Sequence, residues 1–375
     1  MGYLRIKVSV LKRKLRKRTT NSTSSLPTKI FFPNFSSAKV FVTNRDSQNI
    51  SVVNANTNTL IENIPNPNGP HRPLFGIAAL KGTRKVYVCS DRSDGDTERG
   101  GLFVIDAVTN KVIKMFEGIV GNFSSVATNP ITKLVYVYSD FRLVIIDGNT
   151  DTIINTIPIS INLVNALEVG PNAIAVNSKT NKIYLTGPTK SAAILPLTNY
   201  LIVLDGATNN KITQFSLNQG PAGPASGLEF PSYISINENT NKIYIANNFL
   251  GTLSIINGDN DSLITTLNLG NRAFSVAVNV NTNKIYVGCR AIVNNSFVSG
   301  YFVIDGNSNT IINFVRTGVG AVNAMIADPK SNRVYAADTF GTFYVISGDN
   351  DQIIKRITIG FGSVSMTYTD PFSNQ

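Results

Sequence analysis

A short motif that returns seven times limits what this chain can become more than any other feature. It reads as a residue that is usually basic, then a β-branched residue, an aromatic, and a small or apolar residue. The copies are Lys39-Val40-Phe41-Val42, Lys85-Val86-Tyr87-Val88, Leu134-Val135-Tyr136-Val137, Lys182-Ile183-Tyr184-Leu185, Lys242-Ile243-Tyr244-Ile245, Lys284-Ile285-Tyr286-Val287 and Arg333-Val334-Tyr335-Ala336. Their aromatics lie 46, 49, 48, 60, 42 and 49 residues apart. Such a period, filled with short β-branched runs, marks propeller blades of four strands each. The expected fold is therefore all-β, a seven-bladed β-propeller over residues 38–375, preceded by a tail and linker at 1–37.

The rest of each unit agrees. Beyond each aromatic a second run ends in a polar residue, as in Val104-Ile105-Asp106, Ile145-Ile146-Asp147, Val203-Leu204-Asp205 and Val303-Ile304-Asp305. Gly usually follows, with Thr, Asn and Asp, which is hairpin-turn chemistry: short polar side chains bond their own backbone, and Gly tolerates positive φ. The repeated Asp residues thus read as turn caps rather than an acidic ring. The repeated Tyr residues read as filling between blades, each burying about 150–250 Å², rather than as a stacking platform.

The chain ends supply the closure. The first unit opens on its second strand, and Phe31-Phe32-Pro33-Asn34 before it makes a poor inner strand, because Pro33 cannot donate to a ladder. Met366-Thr367-Tyr368-Thr369-Asp370-Pro371-Phe372-Ser373-Asn374 aligns with Ala324-Met325-Ile326-Ala327-Asp328-Pro329-Lys330-Ser331-Asn332 and supplies the missing strand. Pairing it into the first blade shuts the ring and removes the open sheet edges that invite aggregation. The ring is expected to be a monomer.

Two longer motifs carry a resemblance to a known family. Asn-x-x-Thr-Asn-Lys-Ile-Tyr occurs at Asn177–Tyr184, Asn237–Tyr244 and Asn279–Tyr286, and Val-Ile-Asp-Gly-Asn-x-Asn-Thr at Val303–Thr310. Residues 38–375 resemble the YVTN-type β-propeller repeat proteins, described as surface-layer or surface-antigen propellers. The third unit departs from the pattern at Leu134, and the fourth carries long insertions. The resemblance implies a binding or scaffolding module at the cell envelope or surface. The N-terminus pulls the other way, toward the cytoplasm. Arg5 and Lys7 break its apolar residues, so it lacks the uninterrupted stretch of about 7–15 residues that a signal peptide needs.

Charge and composition narrow the function. The formal net charge is +11, but nine of the 34 Lys and Arg residues fall within residues 1–37, which hold no acid. The remaining 25 bases face 23 acids, so the folded body is nearly neutral and the basic character belongs to the tail. No run approaches the roughly 18 apolar residues of a membrane span. The absence of Trp argues against WD-type and quinoprotein propellers, and a single His cannot build a His-rich metal site. Cys89 and Cys289 fall in repeats expected on opposite sides of the ring and should remain free thiols. No cofactor is expected, and no catalytic constellation is recognisable.

Candidate binding residues lie in the long connections of strand four to the next strand one and of strand two to strand three, which emerge on the same face. These are 64–74, 89–100, 158–171, 187–199, 217–231 and 288–299. Uneven growth on one side of a regular scaffold is where binding sites concentrate. This face carries His71, Arg72, Asp91, Asp94, Asp96, Glu98, Lys190, Asn218, Glu229, Phe230 and Arg290. The carboxylates of Asp91, Asp94, Asp96 and Glu98 around Gly95 are a weak candidate for Ca²⁺, which takes about six to eight oxygens, though Arg92 and Arg99 oppose it. The expected partner is a protein or glycan. A second function class rests on Arg5, Lys7, Lys12, Arg13, Lys14, Arg16, Lys17 and Arg18. With Leu4, Val8, Leu11 and Leu15 at helical spacing, these bases suit an anionic surface or nucleic acid. A third class, a carboxylate or Ca²⁺-dependent hydrolase or lyase built from scattered loops, leaves no sequence signature.

Overall fold

Seven four-stranded antiparallel sheets make up the computed structural model. It describes residues 37–69, 72–90, 101–116, 123–139, 142–159, 173–188, 198–219, 233–248, 250–270, 272–293 and 296–371. From the channel outward, blade 1 is Ser363–Thr369, Lys39–Asn44, Asn49–Asn54 and Thr59–Pro65. Blade 2 is Leu74–Ala79, Lys85–Ser90, Gly101–Asp106 and Lys111–Met115, and blade 3 is Phe123–Asn129, Leu134–Ser139, Arg142–Asp147 and Thr152–Pro158. Blade 4 is Ala173–Asn177, Lys182–Pro188, Thr198–Asp205 and Lys211–Gln219. Blade 5 is Tyr233–Asn237, Lys242–Asn247, Thr252–Asn257 and Ser262–Asn268. Blade 6 is Arg272–Asn279, Lys284–Val293, Ser296–Asp305 and Thr310–Gly318, and blade 7 is Val322–Asp328, Arg333–Asp338, Thr342–Ser347 and Ile353–Thr358.

The C-terminal strand closes the ring. Ser363–Thr369 pairs antiparallel with Lys39–Asn44, from Lys39 opposite Thr369 to Asn44 opposite Ser363. It packs on the inner strands of blades 2 and 7, and the backbone N–H of Ala79 in blade 2 donates to Thr367 Oγ1 at 2.9 Å. Middle strands are buried on both faces, and their Phe and Tyr rings, such as Phe41, Tyr87, Tyr244 and Tyr335, fill the space between blades. Cys89 and Cys289 are free and buried. No helix among the described residues is long and apolar enough to cross a membrane.

The outer strands would be seven open edges if they were regular. Each instead carries a bulge at the same place, where the ladder skips an isoleucine: Ile61, Ile113, Ile154, Ile212, Ile264, Ile312 and Ile354; blades 4 and 6 carry a second, at Leu217 and Thr317. A bulge interrupts the row of pairing groups and twists the edge, which blunts it against another chain.

At six of the seven boundaries residues of the repeat motif join one blade to the next on the face where the short turns lie. Lys182 of blade 4 reaches blade 5, donating to Gly258 O at 3.0 Å and pairing with Asp261 Oδ2 at 2.7 Å. Lys85 does the same toward Asp151, Lys284 toward Asp351, Lys242 toward Asn309, Lys39 toward Asn110 and Arg333 toward Ala55 and Asn58. The tyrosine two positions on adds its hydroxyl where the partner is Asp: Tyr87 to Asp151 at 2.5 Å, Tyr184 to Asp261 at 3.2 Å, Tyr286 to Asp351 at 2.6 Å. The first Asn of the long motif caps its own turn and donates to the Asn of the next blade's turn: Asn177 to Asn241, Asn237 to Asn283, Asn279 to Asn332. Blade 3 has Leu134 in the basic position, and Asn209 Oδ1 in blade 4 is buried with no hydrogen-bond partner.

The Gly that follows the repeated Asp or Asn has another role than its assumed positive φ. The left-handed residues of these turns are Asn58, Asn110, Asp151, Asn209, Asp261, Asn309 and Asp351. Gly258, Gly306 and Gly348 are required by close approach instead, since a Cβ there would collide with Asn241, Asn283 or Asn332. The repeated Asp residues do cap turns: Asp106 Oδ1 accepts from the backbone N–H of Val108 and Thr109, and Asp205 Oδ1 from Ala207 and Thr208.

Candidate binding face

The two kinds of long connection meet on one face, as their chain positions require, and they are hydrogen-bonded to one another. Leu269 N donates to Gly251 O at 2.8 Å, Ile359 N to Gly341 O at 2.8 Å and Asn66 N to Gln48 O at 3.1 Å. The opposite face is taken up by the repetitive inter-blade contacts. Subtracting the repeat leaves the long-loop face as the part of the surface whose residues differ from blade to blade.

Of the sequence candidates on this face, His71, Asp91, Asp94, Asp96, Glu98, Lys190, Glu229 and Phe230 lie outside the described residues, as do all the tail bases. The positions of Arg72, Asn218 and Arg290 are described. Arg72 O accepts from Asn66 Nδ2 at 2.6 Å, which ties that loop to the end of blade 1. Asn218 is in the outer strand of blade 4, paired opposite Asn199. Arg290 stands in a strand as well, because 288–299, expected as a loop, is a hairpin. Lys284–Val293 and Ser296–Asp305 pair from Lys284 opposite Asp305 to Val293 opposite Ser296. The physical reason is local: Ala291-Ile292-Val293 and Phe297-Val298 are strand-forming runs close enough in sequence to pair with each other. The hairpin carries Arg290 over the ring of Phe297, 6.0 Å from its centroid.

A set of residues absent from the sequence candidates is exposed nearby. Val319 joins blades 6 and 7, Phe340 lies in the second connection of blade 7, and Phe361 joins blade 7 to blade 1; they are 82%, 58% and 56% exposed. Phe297, at 65%, extends the row onto the blade 6 hairpin. Backbone and hydroxyl bonds hold the row together: Ser299 Oγ to Val319 O, Thr339 N to Ala321 O, Gly362 N to Thr339 O, and Arg45 N to Gly362 O. Asp338 anchors the Phe340 turn from below. It is buried, and it accepts from Tyr344 Oη at 2.7 Å and from the N–H groups of Phe340 and Thr342. The signal that would have found the row is an apolar residue beside Gly in a short connection, as in Gly318-Val319-Gly320, Phe340-Gly341 and Gly360-Phe361-Gly362. Such residues have no fold reason to be apolar.

Electrostatics on this arc lean positive. Arg45, Arg272, Arg290 and Arg316 are carried by the upper ends of blades 6 and 1, against Asp46, paired with Arg45 at 3.0 Å, and the buried Asp338. Between the inner strands runs a cavity of about 240 Å³ lined by Ser125, Ser235, Ser365 and apolar residues. Near its long-loop end Tyr233 of blade 5 donates its hydroxyl across the channel to Val364 O of blade 1. Burial raises the Tyr233 phenol and Arg45 opposes the rise. At the turn face the channel widens into a funnel of about 480 Å³. Four of its five charged groups, all but Lys81, have partners among the described residues. Glu238 accepts from Ser178 N and Oγ, Asp328 from Lys330 N and Ser331 Oγ, and Lys330 pairs with Asp370 at 2.7 Å. Among the described residues no group of three or more His, Cys, Asp or Glu converges to hold a metal ion.

No protein-family profile matches the chain, and no curated protein sequence matches it either. Among solved structures it is similar to Kuenenia stuttgartiensis hydrazine synthase, with a TM-score of 0.61 and 13% identity over 78% of this chain and 88% of that one. At that identity the likeness is one of fold.

Proposed function

We propose that this chain is a non-catalytic binding or scaffold propeller of the YVTN type, which engages a partner protein or glycan through its long-loop face. One contrast carries the reading. The repeating residues are consumed by inter-blade contacts on the turn face, whereas the exposed Val319, Phe340 and Phe361 stand on the other, where they contribute nothing to the core. Soluble surfaces seldom gather apolar side chains without an interaction to use them. A second reading, binding of an anionic surface or nucleic acid, rests on the nine bases and no acids of residues 1–37.

Removing residues 1–37 separates the two. Full-length and shortened chains are compared for binding to duplex DNA and to phosphatidylserine vesicles at rising salt, and for capture of partners from the native host. Binding through the propeller predicts the same captured set from both chains. Loss of all binding on removal of the tail, with steep salt dependence in the intact chain, would leave the second reading standing alone.

A further inference from the structure

We infer that the arc from blade 6 to blade 1 is a docking surface for an acidic protein segment that carries apolar side chains. The inference rests on the proposed binding role of the long-loop face and names the occupant. Phe297, Val319, Phe340 and Phe361 present apolar area with no hydrogen-bonding group of their own. A sugar needs donors and acceptors beside an aromatic face, and the acceptors next to Phe340 and Phe361 are already engaged. The Asp338 carboxylate is filled by Tyr344, Phe340 N and Thr342 N, and Ser47 Oγ accepts from Phe361 N at 2.7 Å. What remains is cationic: Arg290 beside Phe297, and Arg316 exposed three residues before Val319. Phe and Arg are among the residue types enriched in interface centres, and Val319 extends the apolar area between them.

Charge complementarity excludes two nearer occupants. The chain's own N-terminal segment holds Arg5, Lys7, Lys12, Arg13, Lys14, Arg16, Lys17 and Arg18 and would be repelled. A second copy meeting this one across the arc would set arginine against arginine. The backbone and hydroxyl bonds that join Ser299, Val319, Ala321, Thr339, Gly362 and Arg45 hold the platform in place before any partner arrives, which lowers the ordering cost of binding.

The test is selection of random short peptides displayed against the full chain, followed by affinity measurement with the enriched peptides made synthetically. Enriched sequences should set Asp or Glu beside Phe, Leu or Trp. Phe340→Ser with Phe361→Ser should weaken binding by about tenfold or more, with an unchanged thermal midpoint because both side chains are exposed. Arg290→Glu with Arg316→Glu should weaken it about fivefold and flatten its salt dependence. Peptides without acids, peptides indifferent to both double variants, failure to enrich any sequence, or binding confined to phosphatidylserine vesicles would each overturn the inference. Peptides lost only when loop 217–231 is shortened would overturn it while sparing the long-loop face as the binding face. Peptides lost only on charge reversal at Lys81 and Lys330 on the turn face would overturn both.

Discussion

The ammonium of Lys284 lies 2.9 Å from both carboxylate oxygens of Asp351, and the two residues belong to neighbouring blades. Asp351 also accepts from the Tyr286 hydroxyl, while its backbone carbonyl takes the Tyr301 hydroxyl at 2.7 Å. Three groups thus converge on one residue at the boundary between blades 6 and 7. Equivalent contacts at five other boundaries make this the commonest inter-blade fastening in the described structure.

Lys284→Ala should therefore destabilise by more than an ordinary surface pair. The pair is mostly buried, and removing the lysine leaves a carboxylate facing only neutral donors. A loss of about 2 kcal/mol is expected, between the values for exposed and fully buried pairs. Differential scanning calorimetry would read it as a fall of about 3 °C in Tm. A change within error would mean that the ion pair contributes nothing beyond its desolvation cost.

At the boundary of blades 3 and 4 the fastening is incomplete, with Leu134 in the basic position and Asn209 Oδ1 buried without a partner. Leu134→Lys should raise stability by about 0.5–1 kcal/mol, since its stem covers the same apolar surface and its ammonium satisfies the orphaned oxygen. Adding Asn209→Asp should increase the gain. Urea midpoints for the single and double variants decide the matter, and a lower midpoint for both would show that this boundary differs in more than one residue.

Ring closure depends on residues far apart in the chain. Truncation after Gly362 removes the inner strand Ser363–Thr369 and leaves the edge of Lys39–Asn44 unpaired. The expected result is loss of the single cooperative transition together with self-association on a sizing column. In the intact protein, amide exchange of Val40 and Val42 should be as slow as that of Val86 and Val88 in blade 2. Rapid exchange at Val40 would contradict closure.

Alkaline pH should unfold the ring through its tyrosines. Burial raises the phenols of Tyr136, Tyr244 and Tyr344 to about 12, with Asp305 adding to the rise at Tyr244 and Asp338 at Tyr344. Tyr87, Tyr184 and Tyr286 are pushed up further, by burial and then by their Asp partners. A phenol raised above its unfolded value of about 10 contributes stability that is complete below pH 10 and lost as the pH climbs toward the folded value. The urea midpoint should fall between about pH 10 and 12. Phenolate absorbance of these residues should appear with unfolding rather than before it, and titration of all tyrosines near pH 10 in the native state would refute their burial.

Blade number, the ring-closing strand and the two faces were legible in the sequence because each follows from local periodicity. Strand and turn residues recur at fixed offsets, and Met366-Thr367-Tyr368-Thr369 announces its role by resembling Ala324-Met325-Ile326-Ala327. Turn capping by Asp106 or Asp205 was legible for the same reason, since donor and acceptor are two or three residues apart. The repeated lysine was visible as a pattern and opaque as a cause, because its acceptor is 79 residues away for Lys182 and 67 for Lys284. Only packing of one blade on the next makes such pairs neighbours. The bulged isoleucines were hidden too, since a ladder skips a residue only when two strands of unequal path are laid side by side. The row of Val319, Phe340 and Phe361 depended most on tertiary structure. These are single apolar residues in three short connections, and they become one surface only when the closed ring brings the ends of blades 6, 7 and 1 together.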